Sequence, residues 1–166
     1  MRVDEASLRA ALADLLPVDA DALRIEYALE HGELLVFSAS VPDASPTSLT
    51  GTFDGTLERD LDRNIARLLA LARRDGSLGA TELAAAIGML EDLPGRPFLD
   101  RDAVELGGDP DVMGPPRFIE VDGVRTLEFW NASARHAPWR TRLQIHDDGT
   151  FSREQTAYTA VKAEGQ

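Results

Sequence analysis

Leu8, Leu12, Leu15 and Leu16 recur at intervals of three and four residues, which places one apolar stripe along a short N-terminal helix. Asp4 is positioned to cap that helix, Val3 and Leu8 have the spacing of a hydrophobic staple, and Pro17 disfavours helix at Leu16 and so closes the run. The period then drops to two. Ile25, Tyr27 and Leu29 alternate with Arg24, Glu26, Ala28 and Glu30, and His31-Gly32 separates them from the apolar run Leu34 to Phe37, predicting a β-hairpin. A two-residue turn would set Glu30 against Glu33, so charge repulsion favours a longer loop. Residues 41–55 (VPDASPTSLTGTFDG) are rich in Pro, Ser, Thr and Gly and read as a connector. Leu57, Leu61, Ile65, Leu68, Leu69 and Ala72 then mark a long amphipathic helix closed by Arg73, Arg74 and Asp75-Gly76. A second helix, about Thr81 to Leu90, turns Leu83, Ile87 and Leu90 inward.

Periodicity is lost in residues 91–116, which hold five prolines, four glycines and seven acidic residues; this predicts a long irregular acidic segment and the place where a domain-like joint would fall. From Arg117 the pattern is β. An Asp122-Gly123 turn pairs Val121 with Val124, Glu120 with Arg125 and Phe118 with Leu127, so that every pair is complementary. Further on, Trp139, Thr141, Leu143 and Ile145 alternate with Arg140, Arg142, Gln144 and His146, and a turn at Asp147-Asp148-Gly149 would set Ile145 against Phe151 and Arg142 against Glu154. The expectation is a single α+β domain over residues 1–166: an N-terminal helix and hairpin, two central helices, and a C-terminal antiparallel meander of about four strands packed against helices, its other face wet. The alanine-rich tail, about residues 160–166, is expected to fray.

The hydrophobic fraction of 43% supports a folded core at this length, and the absence of cysteine removes disulfides, thiolate metal sites and thiol nucleophiles together. The N-terminus is acidic where a secretory signal would be cationic, and no apolar run approaches membrane-spanning length, so a cytoplasmic protein without a membrane partner is expected. A single lysine beside 16 arginines, with many alanines, has the look of a GC-rich, bacterial-like coding composition and carries no structural meaning. The net charge of −12 disfavours nucleic acid, because phosphate neutralisation supplies most nonspecific affinity. That charge is polarised. Residues 1–111 carry 22 acidic side chains against 10 arginines, whereas residues 112–166 carry seven of each sign and six of the ten aromatics.

Residues 81–89 (TELAAAIGM) resemble the first helix and corner of a helix-turn-helix, with Gly88 at the corner. The following LEDLPGRP has two acids and two prolines where a recognition helix would present basic side chains, which speaks against a DNA reader. Arg59, Arg63 and Arg67, four residues apart, form a helix-face stripe that local pairing with Asp60 and Asp62 explains. Asp100, Asp102, Asp109 and Asp111, with Glu105, are weak metal candidates: oxygen ligands crowd one segment without a calcium-loop spacing. No cofactor motif occurs.

The candidate binding residues cluster late in the chain. Trp130, Arg135, His136, Trp139 and Arg140 bracket a segment expected to link two strands, and Arg142 and His146 share a strand face that would meet an anion. Of the three histidines, His31 reads as a turn residue, and His146 is the one placed near arginines and acids. The leading expectation is a non-catalytic protein-interaction module of adaptor, inhibitor-like or chaperone-like type that meets a basic partner, or one that accepts aromatic side chains. The alternatives are a small anionic-ligand-binding or hydrolytic domain with a site between sheet and helices, and a homodimer.

Overall fold

A computed structural model describes residues 2–42, 48–91, 96–97, 113–133 and 136–158. The class is α+β, with three α-helices and two antiparallel sheets. The chain divides into two compact units, Met1–Asp92 and Leu93–Gln166.

In the first unit, helix α1 (Glu5–Leu15) begins where the sequence pattern places it: the Asp4 side chain accepts the Ser7 amide, and Val3 and Leu8 are both buried. A 3₁₀ turn (Ala20–Ala22) leads into strands β1 (Arg24–Glu30) and β2 (Leu35–Ser40). A loop of four residues joins them, with Glu30 opposite Leu35 and not opposite Glu33. Strict alternation fails inside β1. A bulge at Ala28 pairs Tyr27 with Phe37 but Leu29 with Val36, so Leu29 moves to the opposite face from Ile25 and Tyr27, and Glu30 returns to theirs.

Residues 48–53 of the connector expected over residues 41–55 are instead strand, and residues 43–47 lie outside the described residues. Strand β3 (Ser48–Phe53) pairs with all of β2, and the short β4 (Leu57–Glu58) follows it, giving the order β1-β2-β3-β4. Its Thr and Gly content disguised a strand buried on both faces. Leu49 and Phe53 join the α1 side of the core, Gly51 admits the Phe37 ring and the β4 backbone, and Thr52 faces the other way to donate to Asn64 at 2.6 Å.

Helix α2 (Leu61–Arg74) starts four residues after Leu57, because the Asp60 carboxylate caps the Arg63 amide. Arg59 therefore precedes the helix, and Arg67 does not pair along it. Arg67 reaches back to Thr52, Thr56 and Asp54 around the β3–β4 turn. Helix α3 (Ala80–Glu91) runs unbroken through a buried Gly88, so the corner of a helix-turn-helix is not formed. Helix α1 closes one face of this sheet with Leu8 and Leu12, and α2 and α3 pack on the face that carries Val36 and Thr52. The helices assigned by sequence to the C-terminal meander thus find their sheet within the first unit. No helix among the described residues is long and apolar enough to cross a membrane.

In the second unit β6 (Arg117–Val121), β7 (Val124–Ser133), β8 (His136–Ile145) and β9 (Phe151–Ala157) form the meander, and β5 (Arg96–Pro97) shares with β6 one edge of β7. Both predicted registers are present: Phe118 opposite Leu127, and Ile145 opposite Phe151 with Arg142 opposite Glu154. Asp122 and Gly123 take positive φ (53° and 77°), the requirement of a tight twisted hairpin turn. The strand-linking segment expected from Trp130 to Arg140 is a continuation of both strands, with Trp130 directly opposite Arg140. The expected wet face is also not wet along β7, where Thr126, Glu128 and Trp130 are buried.

Gly51 gives a direct check on the close β3–β4 approach. A Cβ there would lie 2.5 Å from the Glu58 carbonyl oxygen, so Gly51→Ala is expected to lower stability by about 1–3 kcal/mol in urea unfolding. Gly32→Ala, with nothing within 4 Å, is expected to leave it nearly unchanged.

Candidate functional site

The bulge at Ala28 has a chemical result. By returning Glu30 to the face of Tyr27 it puts both at the mouth of a cleft of about 530 Å³, lined by Arg2, Val3, Asp4, Glu5, Tyr27, Glu30, His31, Gly32 and Leu35. The N-terminus of α1 forms one wall and the β1–β2 loop the other, pinned together by the Val3 amide donating to the Gly32 carbonyl at 3.0 Å. Three carboxylates face one arginine here. Asp4 is engaged by Ser7, Glu5 is paired with Arg9 at 2.8 Å, and Glu30 has no ion pair among the described residues. The Tyr27 hydroxyl is buried without a hydrogen-bond partner, and its pKa is pushed up to about 12 by burial first and then by Glu5 and Glu30, against the opposing pull of Arg9. Tyr27 therefore stays a neutral phenol at physiological pH and supplies no base.

His31, beside it, is a tie and not a free imidazole. Its Nε2 lies 2.8 Å from Asp75 Oδ2, and its Nδ1 accepts the Glu33 amide, which makes Nε2 the proton-bearing nitrogen. Both ring nitrogens are engaged. Asp75 is held at about 2, first by the Ser77 hydrogen bonds and then by His31. The pair binds the β1–β2 loop to the C-cap of α2, a link across 44 residues that a turn-residue reading of His31 missed. A second cleft, about 360 Å³, is lined by Glu33, Leu34, Asp54, Arg67, Ala70, Leu71 and Arg74. Its arginines are committed, Arg67 to Asp54 and Arg74 to Glu33.

The residues chosen from sequence lie in the second unit, and the described ones are spread along β7, β8 and the turn after β8. Arg142 is bound to Glu128: its Nε donates to Oε2 at 2.7 Å, while Arg117 donates to Oε1 at 2.8 Å. Glu128 is 3% exposed; burial alone would raise its pKa, and the two guanidiniums reverse that and hold it below the ordinary carboxylate value. His146 stands four residues along the strand from Arg142, roughly 13 Å at the usual strand rise. The nearby Asp148 caps Thr150 and has its pKa lowered chiefly by that contact. Trp130 and Arg140 do meet across β7 and β8, and Trp139 sits on the opposite face beside Asn131. Arg135, the His136 side chain, Asp100, Asp102, Glu105, Asp109 and Asp111 lie outside the described residues.

Sequence reasoning missed Glu128, although its signal was present: extending the Phe118–Leu127 register by one pair sets Arg117 opposite it. It also missed Asn131, 1% exposed with both amide atoms unpartnered, which no spacing rule marks.

Two substitutions separate structural from binding roles. Tyr27→Phe removes an unsatisfied buried hydroxyl and is expected to hold or raise stability by up to about 1 kcal/mol in urea unfolding. Glu128→Gln leaves two guanidiniums without their shared anion and is expected to cost about 2–4 kcal/mol at neutral pH. Because the folded pKa is depressed, the Glu128 contribution is complete above the ordinary value of 4.5 and is lost as pH falls through the lower folded value. The gap between wild type and Glu128→Gln in acid unfolding curves should therefore close below that pH.

The chain matches no protein-family model, no curated protein and no solved structure, so its chemistry is argued from this geometry.

Proposed function

We propose that this chain is a non-catalytic interaction module whose acidic first unit recognises a basic segment of a protein partner, as an adaptor, inhibitor or chaperone-like protein would. The observation that carries the reading is the cleft between α1 and the β1–β2 loop, where Glu30, lining it with Asp4 and Glu5, has no ion pair among the described residues. Residues 1–92 as a whole hold 17 acidic side chains against eight arginines, a field that draws a cationic partner toward the cleft before contact. A hydrolytic reading has less support. Three groups suited to proton transfer are occupied, His31 at both nitrogens, Asp75 by Ser77 and His31, and Glu128 by two arginines, while His146 stands apart just past the end of β8.

A cationic peptide tests the reading. Binding of an arginine-rich hexapeptide, followed calorimetrically, is expected to weaken steeply between 50 and 300 mM salt, on the order of the screening expected for exposed charges. Glu30→Gln is expected to weaken it about three- to tenfold, the loss of one charge-assisted contact, whereas Asp62→Asn on the exposed first turn of α2 changes it little. Equal effects of the two substitutions would reduce the interaction to net charge alone. No binding at either salt, with no partner retained from native lysate, would overturn the proposal.

A further inference from the structure

Four buried side-chain atoms are without a hydrogen-bond partner among the described residues: the Tyr27 hydroxyl, the Trp130 indole nitrogen and both amide atoms of Asn131. Three of the four fall on consecutive residues of β7, at the end of the β7–β8 hairpin. An indole N–H closed off from water costs free energy unless an acceptor meets it. Trp130 is 5% exposed, and the side chain directly opposite it on the same face is Arg140. Arg140 has neither ion pair nor hydrogen bond among the described residues. The acids of this face make no ion pair with it among the described residues. Glu128 is saturated by Arg117 and Arg142, and Glu154, opposite Arg142, is engaged by the Thr156 hydroxyl. The Tyr158 ring stands edge-on to the indole, 5.8 Å between centroids at 82°, and walls the far side.

Two donors without acceptors among the described residues, one a planar guanidinium and one a buried indole N–H, belong to directly opposed residues on one face of the β7–β8 hairpin. From this we propose that Trp130 and Arg140 form a carboxylate-binding site. The guanidinium presents a flat pair of N–H donors to the two carboxylate oxygens, and the indole N–H donates to one of them once the long Arg140 side chain swings outward to admit the ligand. This site is independent of the acidic cleft, has the opposite charge preference and lies in the other unit. Its ligand is either a free organic acid or an acidic side chain of a protein segment, which share the same recognising chemistry.

The two indole groups of the chain make the test direct. In the full ¹⁵N-labelled chain they give two Nε1–H resonances, assigned by Trp139→Phe. Titration with glutarate at constant ionic strength is expected to shift the Trp130 resonance saturably and leave the Trp139 resonance in place. Arg140→Gln should weaken that binding at least about tenfold, as expected for a charge-assisted contact. Trp130→Phe, which deletes the unsatisfied donor, should fold with an unchanged or higher urea midpoint and lose the saturable response of the Arg140 backbone amide. Hexaglutamate saturating at a lower concentration per carboxylate than glutarate identifies a protein segment as the source; the reverse order identifies a small acid. A Trp130 resonance that no carboxylate moves, that chloride moves equally, or that inorganic phosphate moves in preference to both overturns the assignment, as does an Arg140→Gln variant that binds like wild type.

Discussion

Burial of β2 on both faces is the constraint from which the first unit follows. Leu35, Phe37 and Ala39 point toward α1, while Val36 points toward α2 and α3, and all four are nearly inaccessible. A strand buried on both sides tolerates no slip, because moving it by one residue would exchange the two apolar sets and leave shapes that fit neither layer. β3 is then forced to lie flat against β2, with glycine at the Phe37 ring and β-branched threonine toward Asn64. β1 has one residue too many for that register and discharges it as the bulge at Ala28. The acidic character of the cleft is a by-product of this adjustment: without the extra residue, Glu30 would emerge on the face of α2 and α3, away from Asp4, Glu5 and Tyr27.

The second unit is organised around a charge and not around apolar area alone. Placing a carboxylate at 3% exposure is unfavourable unless its oxygens are met, and Glu128 draws one guanidinium from β6 and another from β8 to do so. Three successive strands of the meander are thereby cross-linked at one level. Such a network contributes register more than net stability, since an apolar substitute of the same shape would do as well energetically but would not distinguish one alignment of the strands from the next. It also consumes Arg142, whereas Arg140 on the same face has no ion pair among the described residues.

What could be read from the sequence was whatever depends on neighbours in the chain. The Asp4 cap, the Pro17 stop, the Asp122-Gly123 hairpin and the Ile145–Phe151 register are all local, and each is present. β3 was hidden because a strand buried on both faces need not alternate, and its Thr and Gly residues imitate a connector. The Ala28 bulge was hidden because its cause lies in β2, not in β1. The long β7–β8 pairing was hidden by the irregularity between Asn131 and Ser133, which breaks the two-residue rhythm where it would have announced a continuing hairpin. The candidate residues were lost by the same limit: alternation correctly put Arg140 and Arg142 on one face, but only the β6–β7–β8 alignment shows that Glu128 claims the second and not the first.

These details bear on the proposed recognition role. A catalytic group needs an unmet proton demand, a lone pair or acidic proton held near substrate with a pKa close to the working pH. Three titratable groups are moved away from that condition: Tyr27 upward to about 12, Asp75 down to about 2, and Glu128 downward between two cations. Groups unmatched among the described residues are of another kind and include a carboxylate without its cation at Glu30 and a guanidinium and an indole N–H without acceptors at Arg140 and Trp130. Unmatched static partners of that sort lower their free energy by being completed, not by passing a proton on. Each is held by an element whose register is over-determined, Glu30 through the doubly buried β2 and Arg140 through the Glu128 network. Rigid placement of an incomplete hydrogen-bonding set reduces the ordering that a partner must impose on arrival, and so converts the contact into affinity and selectivity.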